Sequence, residues 1–304
     1  MSAIEWTERT WNPVTGCDRV SPGCAHCYAL DLAARLKGMG QPKYQRDGDP
    51  KTSGPGFGVT LHPETLEEPL RRRKPTMYFV NSMSDLFHEE VPYEFISEVL
   101  HVMVECERHT FQVLTKRPER IFDFFESELA HEGFFGFPDN VWVGVSIENR
   151  RFVQRAEMLR DVPAKVRFIS AEPLLGPLVN ELGFPERSGR AWRWEDGYVG
   201  PSLDLAGTDW LIVGGESGAG HRPVDVEWVR ELRNAATTEC CGVCDGKGER
   251  AYAGPARECW RCHGSGRQTA FFFKQWGGRT PKAGGRELDG RTWDEMPARA
   301  KALA

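Results

Sequence analysis

The chain has 304 residues, enough for one large domain or two smaller ones and long enough to bury a core without covalent staples. Lysine and arginine number 39 against 44 aspartates and glutamates, a net charge of −5 that excludes coating nucleic acid through overall positive charge and leaves only local basic patches. No apolar run reaches membrane-spanning length and residues 1–11 lack the charged-then-apolar pattern of an export signal, so the sequence reads as cytoplasmic, with no membrane partner.

In chain order, short apolar and β-branched runs predict strands over residues 10–15, 77–81, 110–115, 141–146, 166–170, 210–214 and 270–274. Helical spacing predicts helices over 24–37, 93–107, 118–129, 150–159 and 226–236. Cys106 continues the apolar stripe Tyr93, Ile96, Val99, Leu100, Met103 and reads as a buried core thiol. Strands alternating with helices predict an α/β fold with parallel strands, as a partial or closed (β/α) barrel or an open doubly wound sheet. Polar groups follow six of the strands, an arrangement that in a barrel converges on one mouth and otherwise marks strand ends meeting solvent. The Gly-rich run Gly214 to Gly220 has neither dinucleotide-fold nor P-loop spacing.

Residues 185–209 interrupt the pattern with Arg187, Arg190, Trp192, Arg193 and Trp194, which suit a stacked nucleobase and its phosphates or a surface loop packed on the body. A second interruption holds Cys241-x-x-Cys244 and Cys259-x-x-Cys262, each followed by x-Gly-x-Gly, with fourteen residues between the pairs. Two such knuckles predict a tetrahedral four-thiolate structural Zn2+ site, with His263 as an alternative ligand and Cys240 a bystander. The repeat resembles the cysteine-rich zinc motif of DnaJ-type co-chaperones, which implies zinc binding alone. The predicted organisation is a body over 1–238, a zinc insertion over 239–268, and a last strand and wrapping tail over 269–304.

The other cluster, Cys17-x6-Cys24-x2-Cys27, offers three thiols. A closed cubane for electron transfer takes four cysteines, so three leave one iron open to a substrate or cofactor. Cys24-Ala-His26-Cys27 is similar to the second half of the radical S-adenosylmethionine motif, while the first gap is six residues here and three in that superfamily. A longer pattern includes Trp11-Asn-Pro-Val-Thr-Gly-Cys17, Asn81-Ser-Met-Ser-Asp85, Leu114-Thr-Lys-Arg-Pro118, Ser170-Ala-Glu-Pro-Leu174, Gly214-Gly-Glu-Ser-Gly218 and Phe273-Lys-Gln-Trp-Gly277. Together these resemble the phage-associated three-cysteine-motif proteins over most of the chain. That resemblance implies a radical-SAM-type barrel carrying a [4Fe-4S] cluster, with S-adenosyl-L-methionine as cofactor.

On this reading Cys17, Cys24 and Cys27 hold the cluster, and Asn81, Ser82, Asp85 and Ser146 are candidates for binding the cofactor. Lys116, Glu148, Glu172, Glu216 and Lys274 are candidates for substrate binding or proton transfer, or else members of an internal salt-bridge network. The expected function is nucleobase modification or repair in DNA or RNA. The competing expectation is a non-enzymatic protein that binds nucleic acid or a partner protein and holds zinc at both clusters. No His-Glu-x-x-His pattern supports a metallohydrolase.

Overall fold

A computed structural model describes residues 4–127, 134–179, 192–193, 199–237, 249–250, 257–258, 269–280 and 282–297. The chain divides into two compact units, the first running to Ser146 and including Val162–Lys165, the second formed by Ile147–Asp161 and the residues from Val166 onward.

In the first unit β1 (Arg9–Trp11), β2 (Met77–Val80), β3 (Thr110–Thr115) and β4 (Val141–Ser146) run parallel, each beside the next. The register sets Trp11 opposite Val80, Val80 opposite Val113, and Leu114 opposite Gly144. β4 is buried at every position, as a continuous Val-Trp-Val-Gly-Val run requires of a parallel strand covered on both faces. The predicted strand over 10–15 is instead β1 followed by Val14–Thr15, which pairs antiparallel with Thr60–Leu61, because Pro13 cannot donate to a ladder.

Helices α1 (Tyr28–Gly38), α2 (Tyr93–Glu105) and α3 (Glu119–Glu126) belong to this unit. α2 buries Phe95, Ile96, Val99, Leu100 and Met103, a stripe at helical spacing in which each side chain contributes roughly 1.5–3 kcal/mol. Cys106, immediately after α2, is fully buried as its spacing predicts. The Asn140 amide then donates to the carbonyls of Met103 at 2.9 Å, His109 at 3.1 Å and Cys106 at 3.2 Å, satisfying backbone groups that a helix end leaves open. α3 starts behind Pro118, whose missing N–H costs nothing at a helix start.

In the second unit α4 (Gln154–Asp161) precedes β5 (Val166–Ala171), and α5 (Val226–Thr237) lies between β6 (Trp210–Gly214) and β7 (Ala270–Gln275). β6 runs parallel to both β5 and β7, with Trp210 opposite Phe168 and Ala270. The tail packs back on these strands, as the sequence predicts: Phe273 N–H donates to Trp293 O at 2.9 Å and Trp210 Nε1 to Glu295 O at 2.9 Å. Its antiparallel pair Glu287–Leu288 with Arg291–Thr292 is an element the sequence reading missed. Parallel strands with intervening helices in both units are the α/β class predicted.

Two short antiparallel pairs fall in the interruptions, Trp192–Arg193 with Val199–Gly200 and Glu249–Arg250 with Arg257–Glu258. The predicted zinc ligands Cys241, Cys244, Cys259 and Cys262 lie outside the described residues. Among the described residues no helix is long and apolar enough to cross a membrane.

Candidate functional site

The loop bearing the first cysteines is seated by its backbone. Gly16 N–H donates to Met83 O at 2.9 Å, and Cys17 N–H to Phe57 O at 3.3 Å. Gly16 has φ 89°, and a Cβ there would stand 2.4 Å from Gly58 O, so the turn into Cys17 accepts glycine alone. From the opposite side the Ser84 hydroxyl donates to Val14 O at 2.8 Å.

Cys24 and Cys27 do not share the first turn of one helix, as the spacing had predicted. Cys24 closes the 3-10 turn Pro22–Cys24, whereas Cys27 is extended (φ −65°, ψ 119°) and precedes α1. Pro22 sets up the short turn, and the extended backbone at Cys27 interrupts it before α1 begins.

All three thiols are half-buried and free. Cys17 and Cys27 pack against Ala29, Ala33, Phe57 and Met83. Burial pushes the Cys17 thiol up to about 12, Asp85 adding to the rise and the Arg117 guanidinium opposing it. Burial also raises Cys27, and Cys24 acts electrostatically on both neighbours. Such thiols ionise on meeting a cationic metal centre, with release of their protons. Among the described residues the trio whose ligand atoms all fall within 4.8 Å of one another is Asp18, His88 and Glu89, and not the three cysteines. One zinc ion needs its sulfurs at about 2.3 Å from a common point. A cluster spreads its thiolates over separate irons, so the donor set suits a cluster better than a single ion.

Within that trio Asp18 and His88 are already committed to hydrogen bonds. Glu90 N–H donates to His88 Nδ1 at 3.1 Å, which leaves the proton on Nε2, and Nε2 donates to Asp18 Oδ2 at 3.1 Å. Burial holds fully buried His88 below the usual histidine range, with Arg117 acting in the same direction. At Asp18 burial works upward, but hydrogen bonds from Thr52 and Ser53, with His88 beside them, outweigh it and hold the carboxyl below its usual range.

The predicted cofactor residues lie at the ends of β2 and β4. Buried Asn81 has a left-handed backbone (φ 58°), and its Oδ1 accepts from Val14 N–H at 3.3 Å, while its Nδ2 is buried with no hydrogen-bond partner. Ser82 Oγ donates to Asn12 Oδ1 at 3.1 Å, and Ser82 O accepts from the Tyr28 hydroxyl at 2.5 Å. Asp85 is filled by protein donors: Thr115 Oγ1 at 2.8 Å, Phe87 N–H at 3.0 Å, Lys116 N–H at 3.0 Å and Arg117 Nη1 at 3.2 Å. Its carboxylate therefore organises the segment after β2. Lys116 Nζ reaches Ser146 Oγ at 2.5 Å and acts electrostatically on Cys27. The structure thus gathers Asn81, Ser82, Asp85, Lys116 and Ser146 into the unit that holds the cysteines.

Glu148, Glu172, Glu216 and Lys274 belong to the second unit. Fully buried Glu148 meets Arg155 at 3.3 Å. Glu216 is gripped by Arg222, whose backbone N–H and Nε each reach Oε2 at 2.9 Å and whose Nη2 reaches Oε1 at 2.5 Å. Glu172 and Lys274 pair at 2.5 Å, each side chain 18% exposed. Gly215 is required by close packing, since a Cβ there would stand 2.0 Å from Trp276 O, while one on Gly214 would stand 3.3 Å from the Glu172 carboxyl carbon. Arg117, Asp18 and His88 were missed in the sequence; the signal for Arg117 was its place beside Lys116 at the end of a buried strand.

In structure the chain is similar to a spore photoproduct lyase variant at 12% identity and TM-score 0.39, covering 86% of this chain and 72% of that one. A second variant of that lyase, with bound AdoMet and dinucleoside spore photoproduct, aligns at 12% identity and TM-score 0.37 over 83% of this chain and 68% of that one. No curated protein matches the sequence. The sequence profile of the family described as "Protein of unknown function (DUF5131)" matches residues 1–244, and the chain belongs to that family.

Proposed function

We propose that this protein is an iron-sulfur enzyme of the radical S-adenosylmethionine type, with Cys17, Cys24 and Cys27 holding a [4Fe-4S] cluster. The observation that carries this reading is the set of three free, half-buried thiols, electrostatically coupled and not gathered around one point. The other described cysteine, Cys106, lies in the core at the end of α2, so the set stops at three among the described residues. Three ligands leave one iron free for the methionyl group of S-adenosylmethionine. When bound, the cluster and cofactor supply one-electron radical chemistry.

The chain's own residues orient and shield. Asn81, strained and with a buried amide left unpaired, is the kind of position that collects at binding sites, and Ser82 adjoins it. Lys116 and Ser146 set a positive, hydrogen-bonded edge beside Cys27. In the second unit Glu216 and Glu148 are locked by arginines, and the partly exposed Glu172 and Lys274 pair is the proton carrier proposed here.

The substrate we propose is a nucleobase in DNA or RNA. Support comes from the sequence segment Arg187 to Trp194 and from Arg250, Arg257, Trp260, Arg261 and Arg267 around the cysteine pairs. Cys241, Cys244, Cys259 and Cys262 are proposed to hold structural zinc in an insertion over 239–268 of a body that resumes at 269.

Anaerobic purification, reconstitution with iron and sulfide, and incubation with S-adenosylmethionine and dithionite test the reading. The expected result is about four irons per chain by metal analysis, a reducible cubane signal and release of deoxyadenosine. Replacing Cys17, Cys24 and Cys27 by Ala is expected to remove iron and leave zinc. Two zinc ions with no iron would replace the enzyme with a metal-stabilised binding protein.

A further inference from the structure

Arg117 is placed as no ordinary surface arginine is. It is 8% exposed and stands two residues beyond the end of β3. Its Nη1 lies 3.5 Å from Cys17 Sγ and 3.2 Å from Asp85 Oδ2, while Nη2 reaches Asp18 O at 3.3 Å. Its backbone is fixed too, since Arg117 N–H donates to Thr115 Oγ1 at 2.9 Å. A guanidinium keeps its charge at any working pH. The side chain therefore holds a permanent positive charge and an N–H donor against one ligand sulfur.

We infer that Arg117 and Asp85 are positioning residues that set the reduction potential of the centre at Cys17, acting in opposite directions. The inference rests on the reading that the three cysteines hold an iron-sulfur cluster. Hydrogen bonds to ligand sulfur and local net charge are two of the levers that tune such potentials. Reduction adds one electron and one negative charge, with no bond made or broken, and needs a low-potential one-electron donor. Arg117 stabilises that added charge through its N–H and its cation. Asp85, which bears electrostatically on the same sulfur, opposes it while holding the guanidinium in place. Arg117 thus eases reduction and Asp85 limits how far.

Potentiometric titration with dithionite, followed by electron paramagnetic resonance on the reconstituted full chain, tests this. Arg117→Gln is expected to lower the reduced-to-oxidised ratio at fixed potential at least tenfold, a shift of about 59 mV to more negative values for a one-electron couple. Arg117→Lys, which keeps the charge and loses the fork, is expected to fall between that variant and the parent. Asp85→Asn is expected to shift the midpoint the opposite way. If Arg117→Gln does not fold, Arg117→Lys and Asp85→Asn still decide, because a merely structural pair would give shifts of one sign or none. Unchanged midpoints, or shifts of the same sign in the Arg117 and Asp85 variants, overturn the inference with the cluster reading intact. A parent protein that takes up no iron and sulfide overturns the cluster reading itself.

Discussion

The Asp85 carboxylate takes the Thr115 hydroxyl between its two oxygens, at 2.8 Å and 3.0 Å, and so ties the segment after β2 to the end of β3. Both groups are buried, and Arg117 depends on the same carboxylate. Asp85→Ala leaves that guanidinium without its counter-charge and is expected to cost about 3–5 kcal/mol of unfolding free energy. Thr115→Val, which removes one hydroxyl that both donates and accepts, is expected to cost about 1–3 kcal/mol. Urea titration of the two variants checks the order; a Thr115 variant less stable than the Asp85 variant contradicts it.

Asn140 answers for the end of α2. Its amide serves three backbone carbonyls of buried or half-buried chain, and no apolar side chain can replace it. Asn140→Ala is expected to lower stability by about 1–3 kcal/mol, and hydrogen exchange at the last turn of α2 is expected to accelerate more than at β4. Uniform acceleration would place the loss elsewhere.

Acid sensitivity follows from buried histidines. His109 is fully buried, with Nε2 donating to Arg72 O at 3.0 Å and Pro69 O at 3.1 Å, and burial holds its pKa below the ordinary value of 6.5. His62 is lowered too, mainly by burial. The folded state keeps these rings neutral, while the unfolded chain binds protons from about pH 6.5 downward. Their stabilising contribution is therefore complete above about pH 6.5, and is lost as pH falls from there through the lowered folded-state values. Unfolding free energy measured from about pH 7.5 to pH 5 is expected to decline, and His109→Gln to flatten the slope. An identical slope in that variant would remove His109 from the account.

Gly16→Ala tests the seat of the cysteine loop. The added methyl meets Gly58 O at 2.4 Å on a backbone with φ 89°, so the loop must shift and carry Cys17 with it. Iron content after reconstitution is expected to fall by more than half, an order-of-magnitude consequence of moving one ligand, while the second unit, followed by Trp210 environment, is expected to change little. Full iron loading in this variant would show that the loop is not held there.

Much of the fold was legible in the sequence, because buried parallel strands announce themselves as short apolar runs. β3, β4 and β6 fall on their predicted residues, and β5 and β7 run one residue further. Helix starts were less legible where a 3-10 turn satisfies the same spacing. That is why 24–37 separates at Cys27, and why 150–159 becomes Arg150–Phe152, capped by Asn149 Oδ1, followed by α4. In the candidate site the sequence supplied residue types but not their commitments. It marked Asp85 as a cofactor-binding acid, yet only long-range packing brings Thr115 and Arg117 onto it; Glu216 meets Arg222 six residues on, through a local loop with no periodic pattern. Arg117 and Cys17 are 100 residues apart, a distance over which no local pattern speaks.

The hydrogen bonds that seat Gly16 and Cys17 all run between peptide groups of the protein itself. Peptide groups therefore hold the loop's shape through bonds that no metal ligand has to complete. On the proposed cluster reading, loading and unloading would be events separate from folding, and Cys17 would keep its seat when the metal is lost.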